Sequence, residues 1–160
     1  MSNPVVDVII PVCNPDRKYE RLLHMLEAQS VPVRHVYVIN TGTHNYDENR
    51  FKYNGDISVR YIEPDEFDHG RTRHEGIMSS NADYCLLMTQ DAVPKNDRLV
   101  AELLECFKSD GIAVAYARQL PNENCRIIER LARQFNYPDK SSIKYRADIE
   151  PVSYTHLTLP

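Results

Sequence analysis

Asp91 is the residue of this chain whose type and position most favour a role in chemistry. It follows an apolar segment, residues 84–88, and Pro94 ends the pattern shortly after it. If that segment is a buried strand of a parallel sheet, Asp91 lies outside its carboxyl end, where open α/β sheets bind ligands. An aspartate after a strand is also a common helix cap or turn residue. The stretch alone therefore leaves a ligand-binding and a structural role open.

Three more polar clusters follow apolar segments or lie in the loops between them, at residues 11–14, 40–43 and 67–76. The carboxyl ends of parallel strands share one edge of a sheet, so these clusters would converge on one cleft with Asp91. This convergence predicts a ligand site. The hydrophobic pattern does not identify the ligand.

The elements that must position these clusters alternate along the chain. An apolar run at residues 5–11 is typical of a strand covered on both faces. Asn14 followed by Pro15 predicts a helix start, and Asn96 is expected to cap a helix that ends at Lys108. The predicted strands are 5–11, 35–39, 58–62, 84–88 and 112–116, and the predicted helices are 15 to before 32, 71–80, 96–108 and 125–135. This order predicts a three-layer α/β domain with a parallel sheet.

The composition disfavours several classes of function. The 160 residues carry a formal net charge of -4 and their basic residues are scattered, so we expect no nucleic-acid partner. No window approaches the roughly 18 apolar residues that a membrane span needs, which favours a cytosolic protein with no transmembrane segment. The cysteines have no pair at metal-ligand spacing and are expected to be reduced structural thiols: Cys13, Cys85, Cys106 and Cys125.

Several segments together resemble the family 2 glycosyltransferases of the GT-A fold, and within them a rhamnosyltransferase-like branch. Residues 8–14, VIIPVCN, resemble the first strand of the family and its nucleotide-binding turn. Residues 67–73, FDHGRTR, are similar to the branch's phenylalanine, any residue, histidine, glycine, any residue, threonine, arginine signature. Residues 88–92, MTQDA, resemble its version of the metal motif, and residues 116–119 and 135–138 are also similar.

The resemblance spans residue 5 to about residue 140 and implies the fold class. That class is α/β, a GT-A (Rossmann-like) three-layer fold with a mostly parallel sheet flanked by helices, incomplete at the C-terminal side. Residues 1–150 would be the nucleotide-sugar-binding part of the domain. Residues 152–160 resemble a translated sequencing adapter, so we expect 151–160 to be a non-native tail, with a natural disordered terminus as the alternative.

The resemblance also implies a binding site for the donor nucleotide. The residues that it assigns there are Pro11, Val12, Asn14, Asn40, Arg73, Gln90 and Asp91. Asn40 stands where the family more often has an aspartate that hydrogen-bonds the base or ribose, so its amide would both donate and accept. Arg73 would reach the base or the diphosphate, and a helix-surface arginine is the alternative.

Asp91 matches the last acid of the family's aspartate, any residue, aspartate motif, and Thr89 occupies the first position. The resemblance therefore implies that Asp91 binds Mg²⁺ or Mn²⁺ together with the donor diphosphate. One acid can suffice, because hard divalent ions fill their other positions with water and phosphate oxygens. We expect weak intrinsic metal affinity, since Thr89 contributes no charge.

Three residues are expected near the donor sugar or the acceptor: His69, Arg118 and Gln119. For His69 a hydrogen-bonding role in the loop is favoured over catalysis, because His74, five residues on, does not share its helical face. Capping and loop bracing remain alternatives for Arg118 and Gln119. The acidic residues at 65, 66 and 68 are expected to be solvated.

By resemblance the function is an inverting, metal-dependent glycosyltransferase of the hexosyltransferase type. It would transfer a sugar, L-rhamnose from a dTDP donor, to a glycan or lipid-linked acceptor in cell-surface polysaccharide synthesis. The general base is expected beyond residue 151, so the chain would be the N-terminal part of the enzyme and inactive alone. A cytoplasmic location is expected, with the inner face of the membrane as an alternative. The alternative function is a non-catalytic α/β module that binds a nucleotide or a protein.

Overall fold

The computed structural model describes residues 4–42, 46–121, 125–137, 140 and 142–143. The chain divides into two compact units, Met1–Ala117 and Arg118–Pro160. The elements of the first unit are β1 (Val6–Val12), α1 (Arg17–Glu27), β2 (His35–Thr41), β3 (Asp56–Ile62), α2 (His69–Met78), β4 (Tyr84–Leu87) and α3 (Leu99–Cys106). The second unit contains α4 (Ile127–Asn136).

The four strands form one parallel sheet in the order β3-β2-β1-β4. The two central strands have the most continuous apolar sequences, and they are buried on both faces as their composition predicts. Val12 of β1 is paired with Asn40 of β2, and Asn40 is paired with Tyr61 of β3. The carboxyl ends of the strands therefore lie at one edge of the sheet, and the predicted three-layer α/β architecture is confirmed.

One face of the sheet packs against α1 and α3. Alternate β1 residues, among them Val8 and Ile10, are fully buried in a core with Leu22 and Leu23 of α1. Burial of each aliphatic side chain of this size stabilises the fold by about 1.5–3 kcal/mol. This layer therefore anchors β1, the strand that leads to the first polar cluster.

Gln29 joins the two helices of this layer, and the sequence pattern did not reveal its role. The side chain is 7% exposed, and its Nε2 donates to the carbonyls of Met25 and Asn96, both at 2.9 Å. Its Oε1 accepts from the N–H of Val100 at 3.1 Å. That N–H belongs to the first turn of α3, whose backbone donors have no partner within the helix. Gln29, which lies just beyond the end of α1, thus supplies the hydrogen bond that a local cap would otherwise make.

The other face of the sheet packs against α2, and Gly76 allows the close approach. A Cβ atom at Gly76 would lie 2.6 Å from Cγ2 of Ile9 and 3.3 Å from Cδ1 of Ile39. A glycine inside a helix costs about 1 kcal/mol relative to alanine. Contact with the two central strands offsets that cost, and it sets the position of the helix that carries His69 and Arg73.

Asp7 is the charged residue at the centre of a buried network near the amino ends of the strands. Its carboxylate is fully buried and accepts from Arg34 Nε at 2.9 Å, Arg34 Nη2 at 2.5 Å and Ser80 Oγ at 2.6 Å. Burial alone would raise the pKa of Asp7, but these hydrogen bonds and the charge of Arg34 hold that pKa below its ordinary value. The network links β1 to the segments that precede β2 and β4.

Two predicted helix starts were wrong. Asp16 caps α1, with Oδ1 accepting from the N–H groups of Lys18 and Tyr19 at 2.8 and 3.4 Å, whereas Asn14 has a positive φ of 48°. An aspartate here both accepts the orphan N–H groups and complements the helix dipole, and the left-handed turn at Asn14 places Asp16 to do so. The third helix starts at Leu99, not at Asn96, and ends at Cys106, not at residue 108.

The predicted fifth strand was also wrong. Within the described part of the chain, residues 112–116 pair with no strand and have an irregular backbone. Val114 and Tyr116 are 79% and 65% exposed, so the segment has neither the backbone partner nor the burial that stabilises a strand. The apolar composition predicted a strand, but composition provides neither a backbone partner nor burial.

Candidate functional site at the carboxyl edge of the sheet

The loop after β1 begins at the central position of this edge. Pro11 is half-buried, and the side chain of Val12 is 2% exposed and packs in the core, so Val12 presents backbone rather than side chain at the edge. Cys13 and Asn14 are exposed, and Asn14 adopts the left-handed conformation. Asparagine tolerates this conformation better than most residues do. The turn therefore directs the chain out of the sheet at the point where the resemblance implies the nucleotide.

The end of β2 lies directly beside this loop. Asn40 is fully buried, and Thr41 is 8% exposed with an Oγ1 that has no hydrogen-bond partner among the described residues. Gly42 follows with a φ of 101°, a conformation that favours glycine, and its N–H donates to the carbonyl of Ile62 at 3.2 Å. Thr43, the last residue of this predicted cluster, lies outside the described residues. The structure thus places Asn40 next to Val12, as the predicted convergence requires.

Asp91 lies in a tight turn beyond β4, on the other side of β1. The turn is closed by the N–H of Ala92, which donates to the carbonyl of Thr89 at 3.1 Å. The carboxylate of Asp91 is exposed and makes no hydrogen bond or ion pair within the described part of the chain. Asp91 therefore does not cap a helix or brace a loop, and its charge is available to a ligand.

Gln90 joins the loop after β1 to the turn after β4. Its Oε1 accepts from the N–H of Cys13 at 2.6 Å, and its Nε2 donates to the carbonyl of Cys13 at 3.0 Å. The sequence pattern contained no signal for this pair of bonds, because the partner groups belong to the backbone. The structure therefore brings together the segments that contain Asn14 and Asp91.

The first turn of α2 contributes the third part of the predicted site. Asp68 is the N-cap, accepting from Gly70 and Arg71 N–H at 3.0 and 2.7 Å, and the bond from Arg71 contributes most to holding the pKa of Asp68 below its ordinary value. Arg73 Nη1 donates to the carbonyl of His69 at 2.9 Å. The His69 ring also contacts the ring of Phe67 edge to face, with centroids 4.9 Å apart. Asp68 is thus exposed, as expected, but it also has a structural role.

Neither of two cavities found among the described residues is lined by the residues predicted to bind the nucleotide. One of about 410 Å³ lies beside β3 and α2, where Arg60 and Glu75 form an ion pair at 2.6 Å. The other, of about 380 Å³, lies on the opposite face, beside Tyr46 and Tyr53.

Asp91 is the residue that the resemblance assigns to a divalent cation, and this assignment stays a prediction. No group of three or more histidine, cysteine, aspartate or glutamate side chains able to hold a metal occurs among the described residues. A single exposed carboxylate fits a hard ion that takes most of its ligands from water and a substrate phosphate. It does not fit a tightly bound structural ion, which takes several protein ligands.

The second unit contains the remaining predicted residues, Arg118 and Gln119. Gln119 Oε1 accepts from Arg133 Nη1 of α4 at 2.8 Å, which is the bracing contact named as an alternative for this residue. The roles of both residues near sugar or acceptor stay predictions. No helix in the described part of either unit is both long and apolar enough to cross a membrane.

The sequence profile of the family described as Glycosyl transferase family 2 matches residues 7–158 of the chain. The match covers most of the sequence, so the chain belongs to this family. The membership that the motifs predicted is confirmed.

Two O-antigen chain rhamnosyltransferases are similar to the chain. RfbN of Salmonella typhimurium is 30% identical over 146 residues, which cover 91% of this chain and 46% of that protein. WbaN of Salmonella anatum is 29% identical over 150 residues, which cover 92% and 47%. The chain thus spans about half the length of these relatives. The crystal structure of S. aureus TarS aligns with 63% of this chain and 19% of TarS, with a TM-score of 0.44 and 19% identity.

Proposed function

We propose that this chain binds the nucleotide-sugar donor of an inverting, metal-dependent rhamnosyltransferase. The donor is dTDP-L-rhamnose, and the sugar passes to a hydroxyl of a glycan or lipid-linked acceptor in the synthesis of a cell-surface polysaccharide. Membership of family 2 supports the reaction class. Similarity to two O-antigen chain rhamnosyltransferases supports the sugar and the type of acceptor.

The observation that carries the proposal is the strand order at the carboxyl edge of the sheet. Because β1 lies between β2 and β4, the loop that contains Asn14 has Asn40 on one side and the turn of Asp91 on the other. A nucleoside diphosphate has an uncharged base and ribose at one end and a charged diphosphate at the other. The buried amide of Asn40 is suited to the base and ribose, and the exposed carboxylate of Asp91 is suited to the end with the diphosphate.

The donor diphosphate would reach Asp91 through a divalent cation. Both partners are anionic, so a direct contact would be repulsive, whereas Mg²⁺ or Mn²⁺ held by Asp91 neutralises the charge that develops on the departing diphosphate. Thr89 offers a neutral hydroxyl in the same turn. This chain's own contribution is then to hold the diphosphate at one end of the edge and the base at the other.

The donors near the start of α2 would stabilise the same diphosphate. Arg73 uses Nη1 for the carbonyl of His69, and a guanidinium has further N–H groups for a ligand. No described residue is assigned here as the general base for the acceptor hydroxyl.

A calorimetric titration tests the proposal. We expect thymidine diphosphate to bind the purified chain, Mn²⁺ to increase its affinity, and uridine diphosphate to bind more weakly. Asp91→Asn keeps the size of the side chain but removes its charge, so it should abolish most of the increase without weakening metal-free binding. Asp110→Asn, at an exposed acid of the same unit, is the control and should behave as wild type. An unchanged response to Mn²⁺ in Asp91→Asn would contradict the assignment.

A further inference from the structure

We propose that Gln90 is a positioning residue, which couples the binding of the metal to the binding of the nucleotide. It holds the turn of Asp91 at a set distance from the loop of Asn14. The proposal rests on the proposed function, since it concerns the same donor site. It differs from the role that the resemblance implies, in which Gln90 contacts the nucleotide itself.

The two hydrogen bonds of Gln90 define the orientation of its amide. The N–H of Cys13 requires an acceptor and the carbonyl of Cys13 requires a donor, at 2.6 and 3.0 Å, and one planar amide satisfies both. Such a pair of bonds restrains distance and angle together, whereas a single bond leaves rotation about it. The side chain of Gln90 is partly buried, and Cys13 is exposed.

The same bonds extend the contact between β1 and β4 beyond the end of their ladder. The paired register of these strands ends at Ile9 and Leu87, and the N–H of Met88 makes a last backbone bond to Ile9 at 3.0 Å. In the described chain no backbone bond joins the two segments after that point. The amide of Gln90 presents one donor and one acceptor, as a strand residue does, and continues the contact as far as Cys13.

Each end of this link is one residue from a predicted ligand-binding residue. Cys13 precedes Asn14, and Val12 on its other side is anchored in the core. Gln90 precedes Asp91 inside a turn that the bond from Ala92 to Thr89 closes. Movement of the Asp91 turn relative to the Asn14 loop would therefore have to break the link or distort that turn.

This geometry predicts that loss of the link changes the coupling between the two ligands rather than the affinity for either ligand alone. The nucleoside should still bind to the Asn14 loop without metal, and the cation should still bind to Asp91 without nucleotide. A diphosphate that is bound by both segments requires one fixed distance between them. Without the link, restoring that distance adds a cost to the free energy of binding. By linkage, the factor by which Mn²⁺ increases nucleotide affinity equals the factor by which nucleotide increases Mn²⁺ affinity.

The test measures that factor in the whole chain and in three variants. Thymidine diphosphate is titrated calorimetrically with and without Mn²⁺, and Mn²⁺ is titrated by electron paramagnetic resonance with and without the nucleotide. Gln90→Met keeps the length of the side chain but removes both hydrogen bonds. Gln90→Asn keeps the amide but shortens it by one methylene, so it loses the paired geometry with little change in polarity. Gln134→Met, on the exposed surface of α4, is the control.

We expect the coupling factor to fall on the order of tenfold in both Gln90 variants, which is the size of the cost of ordering a loop or side chain on binding. Each single-ligand affinity should stay within about twofold of wild type, as should all values for Gln134→Met. Circular dichroism and thermal unfolding establish that the variants are folded. The use of two variants keeps the test decisive if one of them does not fold.

Three outcomes would overturn the proposal. An unchanged coupling factor in folded variants, with or without a lower melting temperature, would make Gln90 a purely structural residue. An equal loss of affinity with and without Mn²⁺ would instead indicate direct contact with the nucleotide. If wild-type protein itself gains no affinity from Mn²⁺, the proposed function fails at the first measurement, and the coupling role falls with it.

Discussion

The substitution Asp7→Asn tests the buried ion pair that fastens β1 to its neighbours. Asparagine has nearly the same shape, but it has one acceptor oxygen where the carboxylate has two. The carboxylate now accepts three hydrogen bonds, two from Arg34 and one from Ser80. With the amide in place, at least one N–H group of Arg34 faces another donor, and the ion pair is lost.

The size of the effect follows from the burial of the two partners. Removing one partner of a fully buried ion pair costs about 3–5 kcal/mol, because the other charge is left without a partner. Asp7 is fully buried, but the side chain of Arg34 is 39% exposed, so water can solvate the guanidinium. We therefore expect Asp7→Asn to lower the free energy of unfolding by about 2 kcal/mol at pH 7.

Urea denaturation at a series of pH values is the assay. The folded-state pKa of Asp7 lies below its ordinary value, so the network stabilises the fold above about pH 4 and loses this effect as the pH falls through the folded pKa. The difference between wild type and Asp7→Asn should be largest near pH 7 and should shrink on acidification.

Glu75→Gln is the matched control. Arg60 and Glu75 are 2.6 Å apart, close to the 2.5 Å of Arg34 and Asp7, but their side chains are 50% and 44% exposed. Exposed pairs contribute little to stability, so the loss should be much smaller. The argument from burial would be refuted if the two variants lost equal amounts of stability. It would also be refuted if the difference in stability between wild type and Asp7→Asn did not change with pH.

Two further substitutions test the layers on either side of the sheet. Gly76→Ala should lower stability by about 1–3 kcal/mol in spite of the better helix propensity, because its Cβ would lie 2.6 Å from Ile9 Cγ2. Gly70→Ala, in the same helix and with its nearest contact at 3.5 Å, should show no such loss in chemical denaturation. Gln29→Leu should cost about 2–3 kcal/mol and increase hydrogen exchange at the Val100 amide, and unchanged exchange there would contradict its capping of α3.

Local patterns predicted the elements of the central sheet well. Apolar runs marked β1 and β2 because strands buried on both faces need such residues throughout, and the predicted ends were within two residues of the observed ones. The starts of α1 and α3 were less predictable. Several polar residues compete to cap a helix, and the choice at α1 depended on the left-handed turn at Asn14.

The edge segments depended on partners that the pattern does not contain. Residues 112–116 have the composition of a strand, but a strand exists only where a neighbour accepts its backbone hydrogen bonds. Gly76 was similarly ambiguous, since it weakens a helix by propensity and strengthens it by allowing contact with Ile9. Both depend on what lies next to the segment in space.

The sequence by itself determined that the chain belongs to family 2, that its core is a parallel α/β sheet, and that polar residues follow the strands, because side-chain types and their spacing carry this information locally. Only the tertiary structure decided which of these residues are free. The carboxylate of Asp91 has no partner among the described residues, whereas Gln90, its neighbour, is bonded to the backbone of Cys13. Hydrogen bonds between distant segments depend on strand order and register. When the partner is a backbone group, the residue types do not indicate the bond, because every residue except proline has the same backbone groups.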